Sequence, residues 1–226
     1  MFWLLAVFLG LTKDTQLPDL LIWVVAVFIS ILWHELGHAL VIRAFGHQPW
    51  ITLYAMGGLT SHDPRRNPRS AGNSAWGQVL ISFAGPGAGF LLVAIILGIL
   101  IATGHRDNFI FGRISQYIPV PIILNIGNER MAMFLNDIFL ISVFWGVLNL
   151  LPIYPLDGGQ IAREAFLFFN PRQGIPQSLM LSIATALLVA FYMVFHYKSI
   201  FNGMVFGYFA YESYQILQAY SGRGRW

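Results

Sequence analysis

The chain has 226 residues, 57% of them hydrophobic and only 10% charged, where soluble domains run nearer a quarter charged. Its mean hydropathy of +0.64 excludes a disordered chain and argues against an ordinary soluble domain. A net charge of +3 is too small to suggest nucleic acid as a partner, and with no cysteine neither disulfides nor thiolate ligands are available, so any metal must be held by His, Asp or Glu.

Met1 to Leu11 is apolar but short for a full span. It reads as a short or interfacial segment, or as a complete span if Lys13 snorkels. A basic start and a small-residue cleavage site, the marks of a signal peptide, are not clear in it. Pro18 to about Phe45 is the strongest span: Pro18 suits a helix start and Asp19 lies in the first turn, where the helix dipole favours an acid. At about 1.5 Å per residue it outruns the ~30 Å hydrocarbon core, so it tilts or protrudes. His47 to Ser61 mixes β-branched and aromatic residues with a Gly57-Gly58 pair and predicts a strand or hairpin near 48–61. Asp63 to Gly77 is a polar surface loop. Gln78 to Thr103 is the next span, and its Ala84-Gly85-Pro86-Gly87-Ala88-Gly89 run lets backbones approach closely.

Gly104 to Arg130 is a longer mixed loop. Met131 to Leu151 is a third clear span, running into Pro152-Ile153-Tyr154-Pro155-Leu156-Asp157-Gly158-Gly159. Prolines and glycines break the helix there, which places Asp157 on irregular backbone at a membrane boundary. Ser178 to Tyr197 and Ile200 to Tyr220 complete five spans, or six with the first segment. The expected fold class is therefore an all-α polytopic membrane protein with five to six transmembrane helices and a short hairpin, a single membrane domain over residues 1–226.

If loop 46–77 faces the cytoplasm, so do 154–176 and the C-terminus. That side then carries Arg43, Arg65, Arg66, Arg69, Arg163, Arg172, Arg223 and Arg225, against Lys13, Arg106, Arg113, Arg130 and Lys198 on the other. This is a modest positive-inside bias. In either orientation the span ending near Phe45 and the span ending before Asp157 travel toward the same face. Their polar motifs can meet at one depth.

Those motifs carry the chemistry. His34-Glu35-Leu36-Gly37-His38 puts two histidines one helical turn apart on one face, as two ligands of one metal must be, with Glu35 beside them. Ionisable groups are costly in lipid and mark function there. The third ligand follows by elimination. An extended metzincin motif would need Gly at 41 and His at 44, where Val41 and Ala44 stand. Glu129 falls on the opposite face, and Glu164 lies beyond the break without a ligand motif. Asp157 remains, with two glycines that let its carboxylate approach. Three protein ligands leave a tetrahedral zinc one open position; Glu35 can then act as general base, and the natural reaction is peptide-bond hydrolysis. Asn149 could donate to the tetrahedral oxyanion or equally satisfy backbone freed by Pro152. His47, His62, His105 and His196 carry weaker signals, and the methionines read as packing.

Together, His34-Glu35-Leu36-Gly37-His38 and Asn149-x-x-Pro152-x-x-Pro155-Leu156-Asp157-Gly158 resemble the site-2 protease family of intramembrane zinc metalloproteases. The resemblance implies one zinc held by His34, His38 and Asp157, with Glu35 as base and Asn149 engaged in catalysis or substrate handling. It also implies an integral protein of a prokaryotic cell membrane with its active site toward the cytoplasm. Its substrates would be transmembrane proteins or peptides, with the bilayer as the other partner. The Gly57-Gly58 stretch is similar to the family's membrane-associated hairpin, which could bind an unwound substrate by strand addition. The chain departs from the pattern at Gly89, where many members carry Asn after Ala-Gly-Pro, and it is expected to carry neither a PDZ-sized insertion between 104 and 130 nor a C-terminal cystathionine-synthase-like domain. No motif identifies a gating partner. The rival readings are a non-proteolytic zinc-binding scaffold, against which an intact Glu35 argues, and a metal transporter, which would spread ionisable groups along several spans.

Overall fold

A computed structural model describes residues 16–54, 57–103 and 128–223. The segment Met1 to Leu11 with Lys13, most of the 104–130 loop with His105, Arg106 and Arg113, and Arg225 lie outside the described residues. The elements are helix α1 (Leu17–Ala44), strands β1 (Pro49–Tyr54) and β2 (Gly57–His62), helix α2 (Ala75–Ala102), helix α3 (Glu129–Asn149), helix α4 (Asp157–Phe169), helix α5 (Gly174–Phe195) and helix α6 (Ile200–Arg223). Among the described residues, α1, α2, α3 and α5 are long and apolar enough to cross a membrane. Helix α6 matches them in length, but its tyrosines, glutamines and Glu212 make it more polar.

The chain divides into two compact units, residues 1–67 with 84–147, and residues 68–83 with 148–226. In the first, α1 is the most enclosed of the four apolar helices, with 50% of its span buried against 22–28% for the others. Trp23, Val24, Val27 and Ile31 of α1 pack with Ile138 and Ile141 of α3, following the three-and-four spacing of one helix face. Gly37 lets α1 touch α2: a Cβ there would collide with the Ala84 carbonyl and lie 2.6 Å from Ala88 Cβ. Trp33 Nε1 donates to the Ala88 carbonyl at 2.9 Å. This is the close backbone approach expected of the small-residue run, and Pro86 sits inside α2 at the same place.

The predicted hairpin is present. β1 and β2 pair antiparallel with Pro49 opposite His62 and Leu53 opposite Gly58, and both strands contact α1. Gly57, at φ +137°, leaves no room for a side chain beside the Trp145 ring of α3. A Cβ on Gly89 would lie 3.3 Å from the Ser142 carbonyl oxygen.

In the second unit, α5 and α6 form a helical pair, and α4 packs on α5. Ile153, Ala186, Phe206 and Ala210 make its buried centre. The Ser182 and Ser213 hydroxyls hydrogen-bond at 2.8 Å, and Tyr154 N–H donates to Ser182 Oγ at 2.8 Å, so these buried polar groups satisfy one another. One expectation is corrected here. Asp157 does not stand on irregular backbone; it is the first residue of α4. The break is confined to 150–156, with a cis Tyr154–Pro155 bond, and an acid in the first turn is favoured by the helix dipole. Gly158 and Gly159 serve a different purpose from turning the chain. A Cβ on Gly158 would strike the carbonyl oxygens of Leu150 and Leu151, and one on Gly159 would lie 2.6 Å from the Ile153 carbonyl carbon and oxygen. They let the first turn of α4 lie against the chain leaving α3.

Candidate metal centre

Helix periodicity builds the first part of the site. His34, Glu35, Gly37 and His38 are buried, while Trp33, Leu36 and Leu40 are exposed. His34 and His38 are only 3% and 7% exposed, too enclosed for water to satisfy their rings. Their Nε2 atoms point at each other at 3.2 Å. Two imidazole nitrogens about 2.0–2.1 Å from one tetrahedral zinc stand roughly 3.3 Å apart, so the pair already has the spacing of two ligands. Helix α2 keeps this space clear. Gly85 faces the pair, and a Cβ there would collide with Nε2 of His38 and lie 2.6 Å from Nε2 of His34. The residues fit a divalent metal on both counts.

Glu35, 4% exposed, turns toward the hairpin. Thr60 Oγ1 donates to Glu35 Oε2 at 2.7 Å and lies 3.0 Å from the Glu35 main-chain oxygen. Gly58, two residues away on β2, lies against the same carboxylate: a Cβ would be 2.6 Å from Oε1. Nothing in the local sequence of Thr60 signals this contact, because it joins residues 25 positions apart.

Asp157 is half-buried at the start of α4, and Asn149 is buried at the last residue of α3. Both belong to the second unit. Asp137 carries no motif, yet it is only 1% exposed within α3. Its signal in the sequence is that of any acid inside an apolar span.

The other histidines among the described residues fall into two groups. His196 caps α5 and stacks on Tyr192, with ring centroids 4.9 Å apart, in keeping with interfacial packing. His47 and His62 flank the hairpin with ring centroids 4.7 Å apart. Burial, reinforced by the His47 ring, holds His62 below the ordinary histidine value of 6.5 against the opposing pull of Asp63.

The model of peptidase family M50 matches residues 22–195. A zinc metalloprotease of Methanocaldococcus jannaschii is 29% identical over 140 residues, which are 62% of this chain and 32% of that protein. A candidate zinc metalloprotease of Synechocystis is 29% identical over 152 residues, 64% of this chain and 31% of that protein. The chain thus spans about a third of the length of these curated relatives. In fold it is similar to the solved site-2 protease from Methanocaldococcus jannaschii, with a TM-score of 0.55 at 21% identity, covering 95% of this chain and 85% of that one.

Proposed function

We propose that this chain, which belongs to peptidase family M50, is an intramembrane zinc endopeptidase that cleaves membrane-spanning segments of other proteins. The observation that carries the reading is the paired Nε2 atoms of His34 and His38 at 3.2 Å, buried within an apolar helix with a carboxylate one residue away. Asp157 is the third ligand. Two buried histidines and a half-buried aspartate are a donor set suited to one zinc ion. When bound, zinc supplies Lewis acidity, activating a water and polarising the scissile carbonyl.

The chain's own residues do the rest. Glu35 takes the proton of the attacking water and passes it to the leaving amine. Asn149 donates a hydrogen bond to the oxyanion. A substrate helix hides its carbonyls in its own hydrogen bonds, so it must unwind before it is cut. The exposed strand positions of the hairpin can receive the unwound segment by main-chain pairing. The active site faces the cytoplasm of a prokaryotic cell, and the substrate is a transmembrane protein or peptide in the same bilayer.

The test is cleavage of a transmembrane peptide in liposomes holding the purified chain. Glu35→Gln is expected to lower the rate by about 10²–10⁴-fold with zinc content unchanged. Full activity in that variant would defeat the mechanism, and a zinc-loaded wild type that cleaves no substrate would leave a scaffold role.

A further inference from the structure

We propose that strand β2 positions the general base, with Thr60 and Gly58 assigning different tasks to the two oxygens of Glu35. The inference rests on the reading of Glu35 as base and deepens it. Residues two apart on a strand share a face, and Gly58 and Thr60 share the one turned to Glu35, while Leu59 between them is exposed. The Thr60 hydroxyl has one proton to give, and two acceptors lie within reach: Glu35 Oε2 at 2.7 Å and the Glu35 carbonyl at 3.0 Å. The carboxylate oxygen is the nearer acceptor, at the ordinary length of an O–H···O bond. Oε2 is thereby committed.

A Cβ on Gly58 would collide with Glu35 Cγ and lie 2.6 Å from both Cδ and the other oxygen, Oε1, so the glycine makes room for the Glu35 side chain on the Oε1 side. Gly58 keeps that oxygen accessible to a proton-bearing ligand. One residue therefore fixes the carboxylate plane and the other keeps its working edge clear. Both act from the hairpin, so the position of β2 sets the orientation of the base. A hairpin that only docked substrate would need neither a hydroxyl at 60 nor a glycine at 58.

Thr60 is a positioning residue, and its removal is read in two ways. In the first, the carboxylate stretch of Glu35 is followed by isotope-edited infrared spectroscopy and identified by its loss in Glu35→Gln. It is expected to shift in the near-isosteric Thr60→Val and return in Thr60→Ser, which restores the hydroxyl. In the second, kcat for the transmembrane peptide is expected to fall about 10–100-fold in Thr60→Val, the range for groups that orient a reacting side chain, with KM and zinc content unchanged and recovery in Thr60→Ser. Gly58→Ala is expected to lose kcat with zinc retained. An unmoved band in Thr60→Val overturns the proposal, as does a loss confined to KM, which would mark β2 as a substrate dock alone. A shifted band in a chain whose wild type cleaves nothing supports the contact and defeats the proteolytic reading instead.

Discussion

The two halves of the proposed ligand set are built by opposite means. His34 and His38 occupy one face of an uninterrupted helix, and helical periodicity alone brings their nitrogens to 3.2 Å. Asp157 follows a broken stretch and opens a new helix, held where it is by glycines packed on main chain. Each half depends on a glycine with no room for a methyl group, but the neighbours differ. At Gly85 the obstructing atoms are the ends of two histidine side chains; at Gly158 they are the backbone carbonyls of Leu150 and Leu151. Side chains can swing aside, whereas a packed backbone cannot. The first glycine therefore protects chemistry and the second protects fold.

That contrast can be broken by adding one carbon at each place. Gly85→Ala should produce the larger functional effect. The imidazoles are expected to rotate away, zinc affinity to drop on the order of 100-fold and cleavage to be lost, with the thermal midpoint in detergent little changed. If Gly85→Ala instead lowers the thermal midpoint and leaves zinc affinity intact, the distinction fails. Gly158→Ala should act on stability first, destabilising the chain by about 1–3 kcal/mol, as overpacking does, a change read by denaturant unfolding. An unaltered midpoint would show that the turn between α3 and α4 is looser than the packing at Gly158 implies.

A smaller effect belongs to the base of the hairpin. His62 is held below its ordinary value of 6.5 by burial and by His47. The folded state therefore binds fewer protons there than the unfolded state. Its contribution to stability is complete above pH 6.5 and is lost as pH falls through the lowered folded value. Thermal midpoints taken across this range should decline on acidification in the wild type and decline less in His62→Gln. Equal slopes would remove His62 as the cause.

The sequence shows the regular half of the molecule and loses the irregular half, for physical reasons. Spans at 18–45, 78–103 and 131–151 correspond to α1, α2 and α3 within three residues at each end, because long apolar runs leave a buried backbone little choice but helix. The Gly57-Gly58 pair correctly marks the hairpin. Asp157 was less legible: the prolines that signal a break also hide the fact that a helix starts immediately afterwards. The glycines after it look like turn residues, and only the neighbouring carbonyls reveal their real function. The contacts of Thr60 with Glu35, and of Gly85 with the histidine pair, had no sequence signal, since each joins separate elements through a side chain or its absence.

One zinc shared by His34, His38 and Asp157 and used by Glu35 underlies the proposed activity, and this sharing can be measured. It is tested most directly by elemental analysis of the purified wild type, Glu35→Gln and Asp157→Ala chains, prepared side by side. One zinc per chain is expected in the wild type and in Glu35→Gln, and its loss in Asp157→Ala. An Asp157→Ala chain that keeps its full complement of zinc would contradict it.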